Sequence, residues 1–298
     1  MNTAEIAPSI KIKTLLYLTD FSAPSENALP IALAVAFKYG AFIKALHILT
    51  PVIPEACYDA VHADEALAKV EMMRVQSLAA GVAIEPIMTR GVTVWDAVDR
   101  LLRENDIDLI VLGTRGRTGV PKLLLGSVAE EIFRRAPIPV LTVGPHVPAS
   151  ISGCRFQRVL FATDFSSESE AAAPYALSFA QENHASLALL HVMKEKETGN
   201  PAKSKEYEKV VERLRQTCPP GAEQLVAPEI AVEHGEPAER ILAAASQLGT
   251  DLIVLGVRGA TGHLDAATHL ERAVAHRVVA HAPCPVLTVR AHETAASS

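Results

Sequence analysis

Aromatic residues make up only 5% of this 298-residue chain, and its single tryptophan is Trp95. Surfaces that stack unpaired bases are built from aromatic faces. The electrostatic requirement is missing too, since the net charge is −6 and no basic block stands out. No nucleic-acid partner is therefore expected. Cysteine is scarce: Cys57, Cys154, Cys218 and Cys284 form no C-x-x-C pair and have no histidine-rich cluster nearby. That spacing supports neither a disulfide framework nor a structural zinc site, and nothing motivates a redox role for Cys57 or Cys218. Residues Ala136–Cys154 contain no Asp, Glu, Lys or Arg, but four prolines interrupt them, which excludes a membrane helix there. The opening Met1-Asn-Thr-Ala-Glu5 lacks the cationic and apolar regions of a secretory signal. The expectation is a cytoplasmic protein with no membrane partner.

Several signatures of nucleotide and catalytic chemistry are also missing. The chain has no Gly-x-x-x-x-Gly-Lys-Ser/Thr, which excludes a P-loop NTPase, and no Gly-x-Ser-x-Gly elbow or His-Glu-x-x-His pair. A dinucleotide-binding fingerprint belongs in the turn after the first strand, but that turn is Thr19-Asp20-Phe21-Ser22 and holds no glycine. His47 and His191 end apolar runs without a partner at metal-ligand spacing. They read as strand-end histidines with local hydrogen bonds, and Trp95, early in a helix, reads as a packing residue.

What the chain does have is a duplication. Thr19-Asp20-Phe21-Ser22 returns as Thr163-Asp164-Phe165-Ser166, 144 residues later. At the same offset Leu46-His47-Ile48 returns as Leu190-His191-Val192, and Arg90-Gly91 as His234-Gly235. Asp108-Leu-Ile-Val-Leu-Gly113 returns as Asp251-Leu-Ile-Val-Leu-Gly256, and Pro137-Ile-Pro-Val-Leu-Thr-Val143 as Pro283-Cys-Pro-Val-Leu-Thr-Val289. A repeat of this length is far longer than a solenoid unit, so each copy should own a core. The seam falls in the Pro-, Ser- and Gly-rich stretch 145–153, which predicts domains over 1–148 and 149–298.

Each copy alternates strand and helix signals. In the first, strands are predicted over 14–19, 41–49, 82–88, 107–112 and 140–143, and helices over 25–39, 62–80, 94–104 and 128–135. The strands are continuous apolar runs, as expected for a parallel sheet with helices on both faces. The fold class predicted is α/β, two tandem doubly wound five-stranded sheets. In the order 3-2-1-4-5 the topological switch point lies between the first and fourth strands, where open α/β sheets take their ligands.

One connection at that point is distinctive. Gly113-Thr-Arg-Gly116 closes the fourth strand, nine residues follow, and Gly126-Ser127 then opens a helix whose Ser127-Val128-Ala-Glu130 has capping-box spacing. Glycines allow close backbone approach to an anion, and free amides at a helix start point toward it. Arg115, Arg117 and Lys122 add positive charge to the loop. Across from it, Asp20 ends the first strand. Its carboxylate could accept from an exocyclic amine, or cap its own turn, and both roles are open.

These residues closely resemble the universal stress protein family in its tandem form, over about Lys11 to Arg290. Gly113, Gly116, Gly126 and Ser127 match the family's ATP-binding pattern of Gly-x-x-Gly, nine residues and Gly-Ser/Thr. The resemblance implies an adenine-nucleotide-hydrolase-like fold and ATP as ligand, with or without magnesium. It implies that Asp20 contacts the base and Ile48 lines its pocket. Gly113 and Gly116 would approach ribose and phosphates, with Arg115 nearby. Gly126, Ser127 and the Val128 amide would hold the phosphates. It further suggests that the two halves pair through their last strands as an intramolecular pseudo-dimer, which leaves a homodimer to some other surface.

The second copy departs from the pattern. Gly256-Val-Arg-Gly259 survives, but nine residues later stand His269-Leu270, or Arg272-Ala273 when aligned from the downstream strand. Either alignment loses the second glycine and the serine, so one competent nucleotide site and one degenerate copy are expected. The family implies a nucleotide-dependent regulatory protein in the stress response. A weak ATPase or phosphotransferase, and a scaffold without ligand, are the alternatives. Catalysis would call for a positioned base and a metal-binding carboxylate, and the loop offers neither.

Overall fold

A computed structural model of the chain describes residues 10–49, 60–90, 93–114, 126–148, 156–193, 205–218, 227–257 and 274–291. The chain divides into two compact units, Lys11–Cys154 and Arg155–Ser298 together with Met1–Ile10.

The first unit runs β1 (Thr14–Leu18), α1 (Ala23–Glu26), α2 (Leu29–Tyr39), β2 (Phe42–Leu49), α3 (Ala60–Ala79), β3 (Ile84–Arg90), α4 (Val94–Glu104), β4 (Leu109–Gly113), α5 (Ser127–Arg135) and β5 (Val140–Val143). Its strands lie in the order β3-β2-β1-β4-β5, all parallel. Leu15 and Leu16 are consecutive and so face opposite sides of the sheet, yet both are fully buried. Burial on both faces is why the strands are unbroken apolar runs.

The second unit repeats this with β6 (Arg158–Ala162), α6 (Ser167–Asn183), β7 (Ser186–Met193), α7 (Lys205–Gln216), β8 (Glu229–His234), α8 (Pro237–Leu248), β9 (Leu252–Gly256), α9 (Val274–His281) and β10 (Val286–Val289). The order is β8-β7-β6-β9-β10. The predicted α/β class and the 3-2-1-4-5 order thus hold in the first unit and recur in the second.

The repeated aspartate before the fourth strand has a structural purpose. Asp108 Oδ2 accepts from the Lys13 and Thr14 amides at 2.7 and 2.9 Å, and Asp251 Oδ2 from the Gln157 and Arg158 amides at 2.8 and 3.0 Å. Each ties the start of the central strand to its neighbour, at the end of the sheet away from the site. The sequence misplaces one helix, however. The single helix expected over 25–39 is broken at Asn27–Ala28, where the Ala28 amide bonds back only three residues, to Ser25 O at 3.0 Å. Pro30 has no amide to donate to Glu26 O, and its ring crowds that carbonyl. Pro174, at the corresponding position, stays inside the uninterrupted α6. The missing amide alone does not end a helix.

Candidate nucleotide site

Parallel pairing brings three strand ends together. Leu18 on β1 is level with Leu46 on β2 and with Leu112 on β4, and the Thr19 amide donates to Leu46 O at 3.0 Å. Asp20, Ile48 and Gly113 therefore leave adjacent strands at the same edge of the sheet, the carboxyl end. Asp20 and Ile48 are both half-buried.

The glycine connection is closed at its base. The Gly126 amide donates to Thr114 O at 2.8 Å, and the Thr114 amide to Val143 O at 2.9 Å. The end of β4 is thus joined directly to the start of α5. Gly126 is the N-cap, with φ −62° and ψ 144°, and its carbonyl accepts the first helical bond from the Glu130 amide at 2.9 Å. Ser127 was expected to cap the helix; instead it is the first helical residue, because the chain is extended at Gly126 and turns helical only after it. A glycine cap brings no side-chain acceptor of its own to the first-turn amides. Ser127 and Val128 are exposed there. A helix start without a side-chain acceptor favours an anion from outside. Arg115 and Gly116, together with Arg117 and Lys122, lie outside the described residues. So do Gly259 and the stretch 269–273 on which the degeneracy of the second copy was read.

The turn after β1 is built tightly. Asp20 Oδ1 accepts from the Ser22 amide at 3.0 Å and from the Ser22 hydroxyl, and Ser22 in turn caps α1. The turn-capping role of Asp20 is therefore realised. Phe21 adopts a left-handed φ of 57°, uncommon for a bulky side chain and costing about 1–2 kcal/mol. Two contacts hold it: its amide donates to Thr19 Oγ1 at 3.0 Å, and its ring lies 4.5 Å from that of His47. His47 Nδ1 donates to the Thr19 carbonyl at 2.8 Å. The second unit repeats every part. Phe165 has φ 61°, its amide donates to Thr163 Oγ1 at 2.9 Å, and its ring stacks on His191 at 4.6 Å. His191 Nδ1 donates to Thr163 O at 2.8 Å. Both histidines thus hold this turn through local hydrogen bonds. The sequence shows the His and Phe repeating together but not that they stack.

Electrostatics at the second turn follow from burial and hydrogen bonding. Burial pushes the Asp164 carboxyl up, but hydrogen bonds from the Ser166 and Ser169 hydroxyls and the Ser166 amide outweigh it and leave it below the ordinary carboxylate value. Burial pulls the His191 imidazole below its ordinary value, helped by Arg213 and opposed by the Thr163 bond and Asp164. Cys284 is a free, buried thiol pushed up to about 12, mainly by burial, which keeps it from being a thiolate at neutral pH. Trp95 is buried, with the Arg135 guanidinium 4.7 Å from its ring, as a packing residue should be.

Gly256 has a reason the sequence does not reveal. A Cβ built on it would lie 2.3 Å from backbone atoms of Glu168 and Ser169, in the first turn of α6. The helix start packs directly on the strand end, and only glycine leaves room.

Two doubly wound α/β domains in tandem, each with a β-strand glycine at the switch point, define the class. The sequence pattern of the universal stress protein family matches residues 11–144 and again 155–290, and the chain belongs to that family. It is 28% identical to a universal stress protein of Mycolicibacterium smegmatis over 298 residues, covering 93% of this chain and 96% of that one. It is 32% identical to a universal stress protein of Methanocaldococcus jannaschii over 142 residues, 44% of this chain and 81% of that one. The fold is similar to the crystal structure of a universal stress protein from Archaeoglobus fulgidus, with a TM-score of 0.68 at 24% identity, covering 93% of this chain and 98% of that one. Among the described residues no helix is long and apolar enough to cross a membrane, and no group of three His, Cys, Asp or Glu could hold a metal ion.

Proposed function

We propose that the first domain binds ATP and that occupancy of this site, rather than turnover, is what the protein contributes to the stress response. The observation that carries this is the closed base of the glycine connection. The Gly126 amide on Thr114 O fixes a helix start beside the end of β4, and its glycine cap offers the first-turn amides no side-chain acceptor. Phosphates fit that start, with Gly126, Ser127 and Val128 holding them. Gly113, Arg115 and Gly116 approach the ribose and phosphates. Asp20, on the neighbouring strand end, accepts from the exocyclic amine of adenine, and Ile48 lines the base. Magnesium, when present, rides on the phosphates. A ligand that binds only the folded form at a hundred times its Kd stabilises it by about 2.7 kcal/mol, so the occupied first domain is held more firmly than the empty one.

Substituting Gly126→Val places a branched side chain where the phosphates approach. We expect ATP affinity by calorimetric titration to fall at least about a hundredfold, roughly 2.7 kcal/mol, while Trp95 fluorescence shows the first domain still folded. Wild-type affinity in this variant overturns the site, and stoichiometric hydrolysis in a single turnover overturns the binding-only role.

A further inference from the structure

We propose that the second domain carries a separate binding groove, between α6 and α7 and over β6, for a small amphipathic carboxylate such as a medium-chain fatty acid. The groove encloses about 400 Å³ and is walled by Phe161, Phe165, Ala173 and Leu177, with Arg213 and Gln181 among its polar groups. That is the size of a small-molecule pocket, and apolar walls with a few placed polar groups are its usual make-up.

The first domain supplies an internal control. Its equivalent space is lined by Tyr17, Leu29, Met72 and Met73 and encloses only about 90 Å³. At the repeat offset of 144 these are Phe161, Ala173, Gln216 and Thr217. Each exchange removes atoms or apolar volume at a corresponding position, and the helices differ too: α6 is unbroken where the first domain has α1 and α2, and α7 ends at Gln216 where α3 runs on past Met73 to Ala79. The mouth changes as well. In the first domain Lys69 pairs with Glu26 across it. Their counterparts, Arg213 and Glu170, form no such pair, and the Arg213 guanidinium lies 4.0 Å from the Phe165 ring instead.

One buried donor of the groove lacks an acceptor, and one exposed cation that lines it has no ion pair among the described residues. These are Gln181 Nε2 and Arg213. A buried donor such as Gln181 Nε2 is rarely left so, and with the exposed Arg213 cation beside the apolar wall it calls for an occupant with an apolar body and an oxygen head. Arginine matches a carboxylate with a planar fork. Glu170, exposed and lining the same groove, argues for a head of one negative charge rather than a doubly charged phosphate.

The test is calorimetric titration of the full chain with decanoate below its micelle concentration. One molecule should bind per chain. Arg213→Gln, at an exposed position, should weaken binding about tenfold, and Glu170→Gln should strengthen it. The double variant Ala173→Leu/Thr217→Met restores the first domain's bulk and should abolish binding, with circular dichroism checking its fold. Gly126→Val should change nothing, which separates this groove from the nucleotide site. Absence of decanoate binding, equal binding of decylamine, tighter binding of decyl phosphate, or indifference to both Arg213→Gln and the filled double variant overturns the proposal.

Discussion

At the end of the central strand the two domains are built alike, down to the left-handed phenylalanine, the histidine under its ring and that histidine's hydrogen bond to a threonine carbonyl. Over the helix pair that packs on the same strand they differ. The first domain fills the space with Tyr17, Leu29 and two methionines; the second leaves about 400 Å³ between α6 and α7. The turn is fixed by backbone geometry. A phenylalanine in a left-handed conformation persists only when several contacts over-determine it, so changing one part releases the rest. The helix pair differs in backbone as well as in side chains: α6 is unbroken where the first domain has α1 and α2, and α7 ends at Gln216, the counterpart of Met72, while α3 runs on to Ala79. Duplication thus preserved the tightly bonded strand-end turn and let the helix pair beside it diverge in backbone and in volume.

The glycines at the two fourth-strand ends offer the largest test of this contrast. Gly256→Ala sets a Cβ 2.3 Å from the backbone of Glu168 and Ser169, and should cost the second domain about 3 kcal/mol. Protection of β6–β9 amides from hydrogen exchange measures it. If Gly113 answers to the same packing rule, Gly113→Ala should destabilise the first domain by a similar amount without nucleotide. If it serves only the ligand, ATP affinity falls and the stability of the empty domain does not.

A smaller effect is expected from opening the filled pocket. Met73 is 3% exposed, and Met73→Thr, its counterpart in the second domain, should cost about 2 kcal/mol. The only tryptophan of the chain lies in the first domain, so urea unfolding followed by its fluorescence reads that domain alone. An unchanged midpoint would mean that the methionines fill a space that tolerates being empty, and the contrast between the domains would lose its energetic content.

The smallest effect concerns pH. Burial holds His191 below the ordinary imidazole value of 6.5 in the folded state, so on acidification the unfolded chain takes up the proton first. The unfolded form then binds more protons than the folded one, and stability falls as pH drops from about 6.5 toward the folded value. The ring is only half-buried, so solvent screens the effect and the loss is small. His191→Gln should flatten the fall in the second domain's stability between pH 7 and 5.5. A variant whose profile parallels the wild type would assign the pH dependence to other groups.

Much of this was legible in the chain itself. Unbroken apolar runs gave the parallel strands, because a sheet covered on both faces needs no polar alternation, and five repeated motifs gave the two domains. The helix boundary at Ser127 was misread because capping-box spacing fits Ser127 and Glu130, whereas the cap goes to whichever residue is last to remain extended, here Gly126. The break before Pro30 was missed because proline signals a lost hydrogen bond and not whether the helix survives it, as Pro174 demonstrates.

The sequence by itself determined the fold class, the duplication and the place of the glycine connection, since each follows from local periodicity and from which residue types repeat. Tertiary structure alone decided which positions meet across the sheet. That Asp108 ties down the start of β1, that Gly256 makes room for α6, and that four exchanges spread between positions 17 and 73 bear on one pocket are facts about distance in space. Residues far apart in the chain share a volume only after the backbone has folded, and a list of side chains carries no record of that volume.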